Sequence, residues 1–324
     1  MPMITTLAAT LAAVALSTSA LAAATWAEGR VAVGDATRDY RIYVPDGADG
    51  PMPLVVMLHG CSQSPETFAE STRMNRVADG GRFIVLYPAQ RITANPARCW
   101  NWFLPKNQVR GGEPAEIVAL VEHIAGRHPI DRERVYVAGL SAGASMSAIV
   151  VACYPEVFAA AAVASGTMVR SADSLLGAGR TMTSGKTADA GHLAAAAWSC
   201  GGKRRLPVPV AVWHGTADKV VVPVNGENVL RQFAHLNDWA DDGQANGSTG
   251  AANPQTRTER VPGGHAYMVA TYLHRGKPLL EYTQVQAMSH AWSGGKDDLP
   301  FSDGKGPDAS AAIWQFFRQH SRQR

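Results

Sequence analysis

The segment Gly139–Gly143, a serine between glycines, constrains the fold more than any other part of the sequence. The β-branched run 134–138 before it is typical of a strand, and the small residues 144–151 after it are typical of a helix. A strand that turns sharply into a helix with serine at its apex is a nucleophile elbow, whereas a glycine-rich turn that carries serine by chance lacks this context. We expect the apical Ser141 to have a strained backbone and small neighbours, with its Oγ projecting from a sheet edge beside the helix.

Strand patterns alternate with helix patterns along most of the chain. Apolar or alternating runs predict strands at 37–44, 53–58, 83–88 and 208–213, and 265–273 and 279–285 are expected to pair as strands. The alternation with helices requires a further strand at 158–166, despite its alanines. Helical spacing predicts helices at 67–78, 113–128, 225–236 and 309–320. We interpret 171–205 as loops and short helices, and 238–253 as a surface excursion. This alternation predicts an α/β fold with a mainly parallel, doubly wound sheet and helices on both faces.

Four chemically active side chains, those of His59, Ser141, Asp218 and His290, each follow the end of a predicted strand or strand pair. Ligand chemistry in such a sheet takes place at the carboxyl ends of the strands. A serine hydroxyl needs an adjacent base, and the base needs an orienting carboxylate. The order Ser, Asp, His therefore predicts Ser141 as nucleophile, Asp218 as acid and His290 as base.

Other assignments of the acid and the base stay open. Asp218 could instead be an Asx-turn residue that caps the following segment. His214, His265 and His274 are rival bases, although His214 is better placed to shape the loop of the acid, and the other two lie in or beside strand pairs.

Two backbone N–H groups are the expected oxyanion donors. One belongs to Ala142, directly after the nucleophile, and the other to Cys61, in the loop after the 53–58 strand. The neighbouring side chains predicted to contact substrate are those of His59, Trp100, Trp102 and Trp292. For the tryptophans, plain core packing is the alternative.

The first residues predict an export signal. The run 7–16 is apolar and 19–22 supplies small residues at cleavage-site spacing, whereas a membrane anchor would need a longer and uninterrupted run. We therefore expect a signal peptide at 1–24, a single catalytic domain at 25–324, and a secreted or periplasmic location.

Four cysteines in an exported protein predict two disulfides, for which three pairings exist. Neighbourhood in the sequence favours Cys61 with Cys99 and Cys153 with Cys200. The first bond would hold the loop 98–103, which contains Trp100 and Trp102, against the predicted catalytic residues. A Cys61–Cys153 bond would exclude that arrangement.

Several partner classes are disfavoured. The formal charge of +3 is spread along the chain, and Lys203–Arg205, the one run of three basic residues, lies in a glycine-rich loop, so no nucleic-acid partner is expected. Metal-ligand clusters and nucleotide-binding glycine motifs are absent from the sequence, so we predict no metal and no cofactor. We expect a monomer that binds no membrane.

Five segments together resemble the poly(3-hydroxybutyrate) depolymerase family of secreted esterases, which is similar to the feruloyl and acetylxylan esterases of carbohydrate esterase family one. They are LHGCSQ at 58–63, CWNW at 99–102, GLSAGASM at 139–146, HGTAD at 214–218 and HAWSGG at 290–295. The resemblance implies an α/β-hydrolase fold, no cofactor, the triad of Ser141, Asp218 and His290, and the oxyanion donors Cys61 and Ala142. Family members that attack crystalline polymer carry a further binding domain after the catalytic one, whereas this sequence stops soon after its last predicted helix. We therefore expect accessible esters, rather than crystalline polymer, as substrates.

The sequence thus predicts a secreted serine carboxylesterase that hydrolyses polyhydroxyalkanoate-type polyesters or their oligomers through an acyl-enzyme. The alternative within the same chemistry is a feruloyl or acetylxylan esterase acting on plant polysaccharide. A non-catalytic polymer-binding protein on the same scaffold is the alternative from another class.

Overall fold

The computed structural model describes residues 23–34, 36–47, 50–185, 189–202, 206–249 and 253–322. The predicted signal peptide therefore lies almost wholly outside the described residues, as does the basic run Lys203–Arg205.

The described chain forms a large twisted sheet whose centre is parallel. Its strands are β1 (Thr25–Val33), β2 (Ala36–Val44), β3 (Met52–Leu58), β4 (Ile84–Pro88), β5 (Ile130–Leu140), β6 (Ala160–Ala164), β7 (Val210–Gly215), β8 (Gln255–Arg260), β9 (Ala266–His274) and β10 (Lys277–Val285). Their spatial order is β1-β2-β4-β3-β5-β6-β7-β10-β9-β8. All neighbours from β4 to β10 pair in parallel, and antiparallel strands complete both edges. A further small sheet joins β11 (Trp292–Ser293) to β12 (Ser302–Asp303).

Helices cover both faces of the sheet, which confirms the predicted α/β fold class. They are α1 (Pro65–Thr72), α2 (Met74–Gly81), α3 (Gly112–Ala125), α4 (Ala142–Cys153), α5 (Leu175–Ser184), α6 (Ala190–Trp198), α7 (Val224–Asp242) and α8 (Ala309–Phe317). The wholly buried β3 shows how the sheet separates two cores. Leu54 and Val56 pack with residues of α3, α4 and α7, whereas Val55 and Met57 pack with residues of α1, α2 and α8. Successive strand side chains point to opposite faces, so each face has its own hydrophobic core.

The helix predicted at 67–78 is wrong as a single element, because the chain breaks at Arg73 into α1 and α2. Arg73 has φ +54°, which ends one helix and begins the next. The carbonyl of Ser71 accepts from the Lys296 N–H at 2.8 Å, and the carbonyl of Thr72 accepts from the Ser310 hydroxyl at 2.6 Å. Hydrogen bonds from distant parts of the chain thus take the carbonyls that a continuous helix would use.

Three other elements differ from the sequence prediction. The strands β1 and β8 were not predicted, and every residue of β8 is exposed, so it has no apolar pattern to detect. The helix α7 continues to Asp242, into the segment 238–253 that we interpreted as a surface excursion.

Both disulfides that sequence neighbourhood favours are present. Cys61 is bonded to Cys99, and Cys153, the last residue of α4, is bonded to Cys200 after α6. The second bond fastens the segment 171–205 to the central helix; as predicted, this segment contains short helices, α5 and α6.

The structure predicts an acid-sensitive contribution to stability from His320. This side chain packs 4.8 Å from the Phe316 ring, and burial, aided by the charge of Lys277, lowers its pKa from 6.5 to about 4. Below pH 6.5 the unfolded chain therefore binds a proton that the folded chain rejects, so the free energy of unfolding falls as the pH falls toward 4. We expect the loss between pH 7 and 4.5 to be about 2 kcal/mol smaller in His320→Gln than in the wild type. Urea unfolding at the two pH values measures it. The exposed His235→Gln is the matched control, and equal losses in all three proteins would contradict the assignment.

Candidate active site

Ser141 lies at the junction of β5 and α4, with the strained backbone that the sequence predicts. Its φ is +58° and its ψ is −120°, and its N–H donates to Ala164 O at 2.9 Å. The two glycines are sterically required. A Cβ on Gly139 would lie 2.4 Å from the Gly143 backbone, and a Cβ on Gly143 would lie 2.0 Å from Leu58 O. Backbone contact between β3, β5 and α4 therefore fixes the position of Ser141.

The predicted acid and base lie together at the same sheet edge. Asp218 follows β7, His290 follows β10, and these strands are parallel neighbours. His290 Nδ1 lies 2.8 Å from Asp218 Oδ2. The other carboxylate oxygen accepts the N–H groups of Val220 and Val221, both at 2.9 Å. This carboxylate is held in one orientation, facing the imidazole.

The charge state of Asp218 fixes the tautomer of His290. Burial raises the pKa of Asp218, but hydrogen bonds from His214 and His290 and the backbone N–H of Val221 outweigh it, and the net pKa lies well below the ordinary value. An ionised carboxylate only accepts hydrogen bonds, so His290 Nδ1 carries the proton and donates it. His290 Nε2 is then left with a lone pair that can accept a proton.

The rival histidines have other partners. His214 Nε2 lies 2.7 Å from Val221 O and 3.4 Å from Asp218 Oδ2. It therefore stabilises the loop after β7 that carries Asp218. His265 pairs with Asp303 at 3.0 Å. His274 lies 3.3 Å from Asp241, at the end of β9.

The loop after β3 runs directly against the serine. A Cβ on Gly60 would lie 3.5 Å from Ser141 Cβ. The N–H of Gly60 donates to Gln63 Oε1 at 2.8 Å, and the N–H of Ser62 donates to Ala97 O at 2.7 Å. Both donors that flank Cys61 are thus engaged, one within this loop and the other by the segment after β4.

His59 sets the direction of the Gly60–Cys61 peptide. Its Nε2 accepts the Gln90 N–H at 3.1 Å, so Nδ1 carries the proton and donates to Gly60 O at 2.7 Å. Burial lowers the pKa of His59 to about 4, which keeps the ring neutral in this arrangement. In a trans peptide the C=O and the following N–H point in opposite directions. The carbonyl of Gly60 is held toward His59, and the N–H of Cys61 therefore points away from it.

A buried polar network supports His59, and sequence reasoning missed it. The side chain of Gln90 donates to Glu113 Oε1 at 2.6 Å and accepts from Arg38 at 2.6 Å. Glu113 also accepts from the backbone N–H of Asn101 at 2.8 Å. Arg38, Gln90 and Glu113 belong to no local motif, and their partners come from distant parts of the chain. Asn101 stands inside the CWNW segment and Gln63 inside the LHGCSQ segment, although neither segment predicts a supporting role for them.

The predicted substrate contacts are not supported for three of the four side chains. Trp100 is 0% exposed, Trp292 is 1% exposed, and His59 is 1% exposed. The ring of Trp292 packs edge-on against Phe68 and its N–H donates to Ser310. Trp100 and Trp292 belong to the two cores, which is the core-packing alternative, and His59 is enclosed by the loop contacts described above. None of the three presents surface to a ligand. Trp102, 4% exposed, is nearly as enclosed.

Within the described ranges, no group of three or more His, Cys, Asp or Glu side chains could hold a metal ion. None of the helices described is long and apolar enough to cross a membrane.

A mainly parallel sheet with helices on both faces and a serine elbow after a central strand defines an α/β-hydrolase. The acetyl xylan esterase from Aspergillus awamori has the same fold, with a TM-score of 0.71 at 20% identity over 90% of this chain and 99% of that one. The predicted fold is thereby confirmed.

The family model described as esterase PHB depolymerase matches residues 38–261. Poly(3-hydroxyalkanoate) depolymerase C of Paucimonas lemoignei is 38% identical over 197 residues, which are 60% of this chain and 47% of the depolymerase. Feruloyl esterase B of Thermothelomyces thermophilus is 30% identical over 204 residues, covering 60% and 69% of the two chains. The chain thus spans about half the length of the depolymerase it matches. It belongs to the esterase PHB depolymerase family, as its motifs suggested.

Proposed function

We propose that the protein is a serine carboxylesterase that hydrolyses 3-hydroxyalkanoate polyesters or their oligomers through an acyl-enzyme on Ser141. The observation that carries the proposal is the 2.8 Å contact between His290 Nδ1 and Asp218 Oδ2, at the sheet edge from which the elbow serine projects. The 38% identity to a poly(3-hydroxyalkanoate) depolymerase supports the polyester substrate. Two disulfides support a location outside the cytoplasm.

The reaction follows from the positions of these groups. Ser141 Oγ attacks the ester carbonyl carbon while His290 Nε2 takes its proton. The negative oxygen that develops accepts hydrogen bonds from the N–H groups of Cys61 and Ala142; the latter, in the first turn of α4, has no acceptor within the helix. Collapse expels the alcohol with the proton of His290 and leaves an ester on Ser141. Water then attacks this ester, gives a proton to His290 and releases the acid and the free serine.

A labelling experiment tests the nucleophile. We expect a fluorophosphonate to add one group to the protein, on the peptide that contains Ser141, and to abolish hydrolysis of p-nitrophenyl butyrate. Absence of both labelling and hydrolysis would instead favour the non-catalytic binding protein.

A substrate panel tests the ester class. We expect a higher kcat/KM on 3-hydroxybutyrate trimer than on methyl ferulate or acetylated xylan. A strong preference for ferulate would overturn the polyester assignment in favour of a feruloyl esterase, the activity named for a relative with 30% identity.

The role assigned to His59 predicts a loss of rate without a loss of binding. In His59→Ala the Gly60–Cys61 peptide loses its 2.7 Å hydrogen bond and keeps only the longer one, 3.4 Å, from the Gln63 N–H to Gly60 O. We expect kcat to fall about 10²- to 10³-fold, the usual effect of removing one oxyanion donor, with little change in KM. The amide nitrogen of an asparagine lies near the Nδ1 position of the histidine and can donate to Gly60 O, so His59→Asn should recover part of the rate. Steady-state kinetics on p-nitrophenyl butyrate measures both variants. Equal rates for His59→Ala and the wild type would contradict the positioning role.

A further inference from the structure

A cavity of about 600 Å³ lies beside the loop that carries Cys61. The charged and amide side chains that line it are those of Arg30, Asp39, Gln63, Gln90, Arg91 and Arg98. Three guanidinium groups thus face one carboxylate, and that carboxylate, of Asp39, is already paired with Arg30. The cavity therefore has an excess of positive charge that its own walls do not neutralise.

Two of the arginines have no anionic partner. Within the described chain, neither Arg91 nor Arg98 forms a salt bridge, and Arg91 Nε is buried without any hydrogen-bond acceptor. A buried N–H group without an acceptor is destabilising. The planar guanidinium matches the two oxygens of a carboxylate, so a bound carboxylate would supply the acceptor that Arg91 lacks.

The walls of the cavity are shared with the candidate active site. Gln63 lines the cavity and accepts the N–H of Gly60, which runs against Ser141. Gln90 lines it from another side and donates its N–H to His59. Arg98 precedes Cys99, which is bonded to Cys61. A ligand held in the cavity would therefore lie next to the loop that faces the reacting carbonyl.

The cavity also has an exposed apolar side chain on its wall, beside the arginines. Ile92, between Arg91 and Thr93 on the cavity wall, is 59% exposed. A ligand with a carboxylate and an aliphatic body would match both features, and burial of apolar surface against Ile92 would add to the ion pair.

We propose that this cavity is a subsite for the carboxylate of an acidic ester substrate, with Arg91 as its principal ligand and Arg98 as a second cation. The inference rests on the proposed function, because it assigns the cavity to the substrate of that site. A 3-hydroxyalkanoate oligomer has one free carboxylate at its end, and an acylated polysaccharide can have one on a uronic acid branch. The chemistry recognised is the same in both cases.

Paired substrates test the subsite. The 3-hydroxybutyrate trimer as the free acid is compared with the trimer whose terminal carboxyl is a primary amide, which an esterase leaves uncleaved. We expect the wild type to have a KM about tenfold lower for the acid than for the amide, the effect of about one charge-assisted hydrogen bond. In Arg91→Gln the KM for the acid should rise to that of the amide, whereas kcat and the KM for the amide should not change. Arg98→Gln should have a smaller effect in the same direction.

The matched control removes a charge near the amino ends of the parallel strands, whereas the cavity lies near their carboxyl ends. Arg318 is exposed at the end of α8, and the chain just beyond it meets the start of β5, where the N–H of Arg322 donates to Glu133 O at 2.7 Å. Arg318→Gln should retain the preference for the acid. Equal KM values for acid and amide in the wild type, or equal changes for both in Arg91→Gln, would overturn the subsite.

Failure of the subsite and failure of the proposed function give different results. Hydrolysis of p-nitrophenyl butyrate without any preference between acid and amide rejects the subsite and retains the esterase. Calorimetric binding of the free acid to Ser141→Ala, lost on adding Arg91→Gln, supports the subsite independently of turnover. Acetylated xylo-oligosaccharides with and without a glucuronic acid branch distinguish the source. A preference for the branched form that depends on Arg91 and exceeds the preference for the trimer acid would support the carboxylate subsite and assign it to polysaccharide.

Discussion

Ser141→Ala is expected to lower kcat on p-nitrophenyl butyrate by about four orders of magnitude or more, because the members of a catalytic triad act as a unit. Its stability should change by less than about 1 kcal/mol, since the methyl group fits where the Cβ of serine already lies and the positive φ is the same for both residues. Kinetics and urea unfolding of the same preparation separate the two effects.

Ser147→Ala is the matched control for this substitution. Ser147 lies on the same helix, and its hydroxyl donates to Gly143 O at 2.9 Å, a local bond away from the elbow apex. Its activity should stay near that of the wild type. Comparable activity of Ser141→Ala and Ser147→Ala would exclude Ser141 as the nucleophile.

His290→Ala is expected to lose nearly as much activity, about four orders of magnitude, because the proposed mechanism assigns the serine proton to His290. His265→Ala provides a close comparison, since His265 also pairs with a carboxylate, Asp303, at 3.0 Å. That variant should retain most of its activity, because a histidine–carboxylate pair acts on the reaction only where a nucleophile faces it. The rates of both variants on p-nitrophenyl butyrate measure the two losses of activity, and their circular dichroism shows whether both variants are folded. A larger loss of activity in His265→Ala than in His290→Ala would identify His265, rather than His290, as the base.

The central part of the fold could be predicted because local pattern and tertiary environment agree there. Strand β3 is a continuous apolar run and is buried on both faces, as its composition requires. The exposed β8 could not be predicted, because pairing with β9 rather than burial makes it a strand. The break at Arg73 depends on hydrogen bonds from residues more than 200 positions away. Such contacts leave no periodic signal in the sequence.

The sequence predicts a candidate site most specifically where the chemistry restricts the residue type. The elbow glycines must lack a Cβ, and the order of Ser141, Asp218 and His290 along the chain is that of the fold class. The supporting groups were not predictable. Glutamines and glutamates are usually exposed, so nothing in the sequence marks Gln90 or Glu113 as buried partners. The sequence predicts substrate contacts for the tryptophans, but a residue type does not determine whether its ring faces solvent or the core.

The position of β10 has a consequence for how the protein acquires activity. This strand is the last long one in the sequence, yet it lies between β7 and β9 in the sheet. A growing polypeptide that has already assembled its first strands still lacks the imidazole that follows β10, and non-local pairing of this kind is slow. We therefore expect renatured samples to regain helical circular dichroism before they regain turnover. The recovery of hydrolysis would then mark the step in which β10 pairs with β7 and β9.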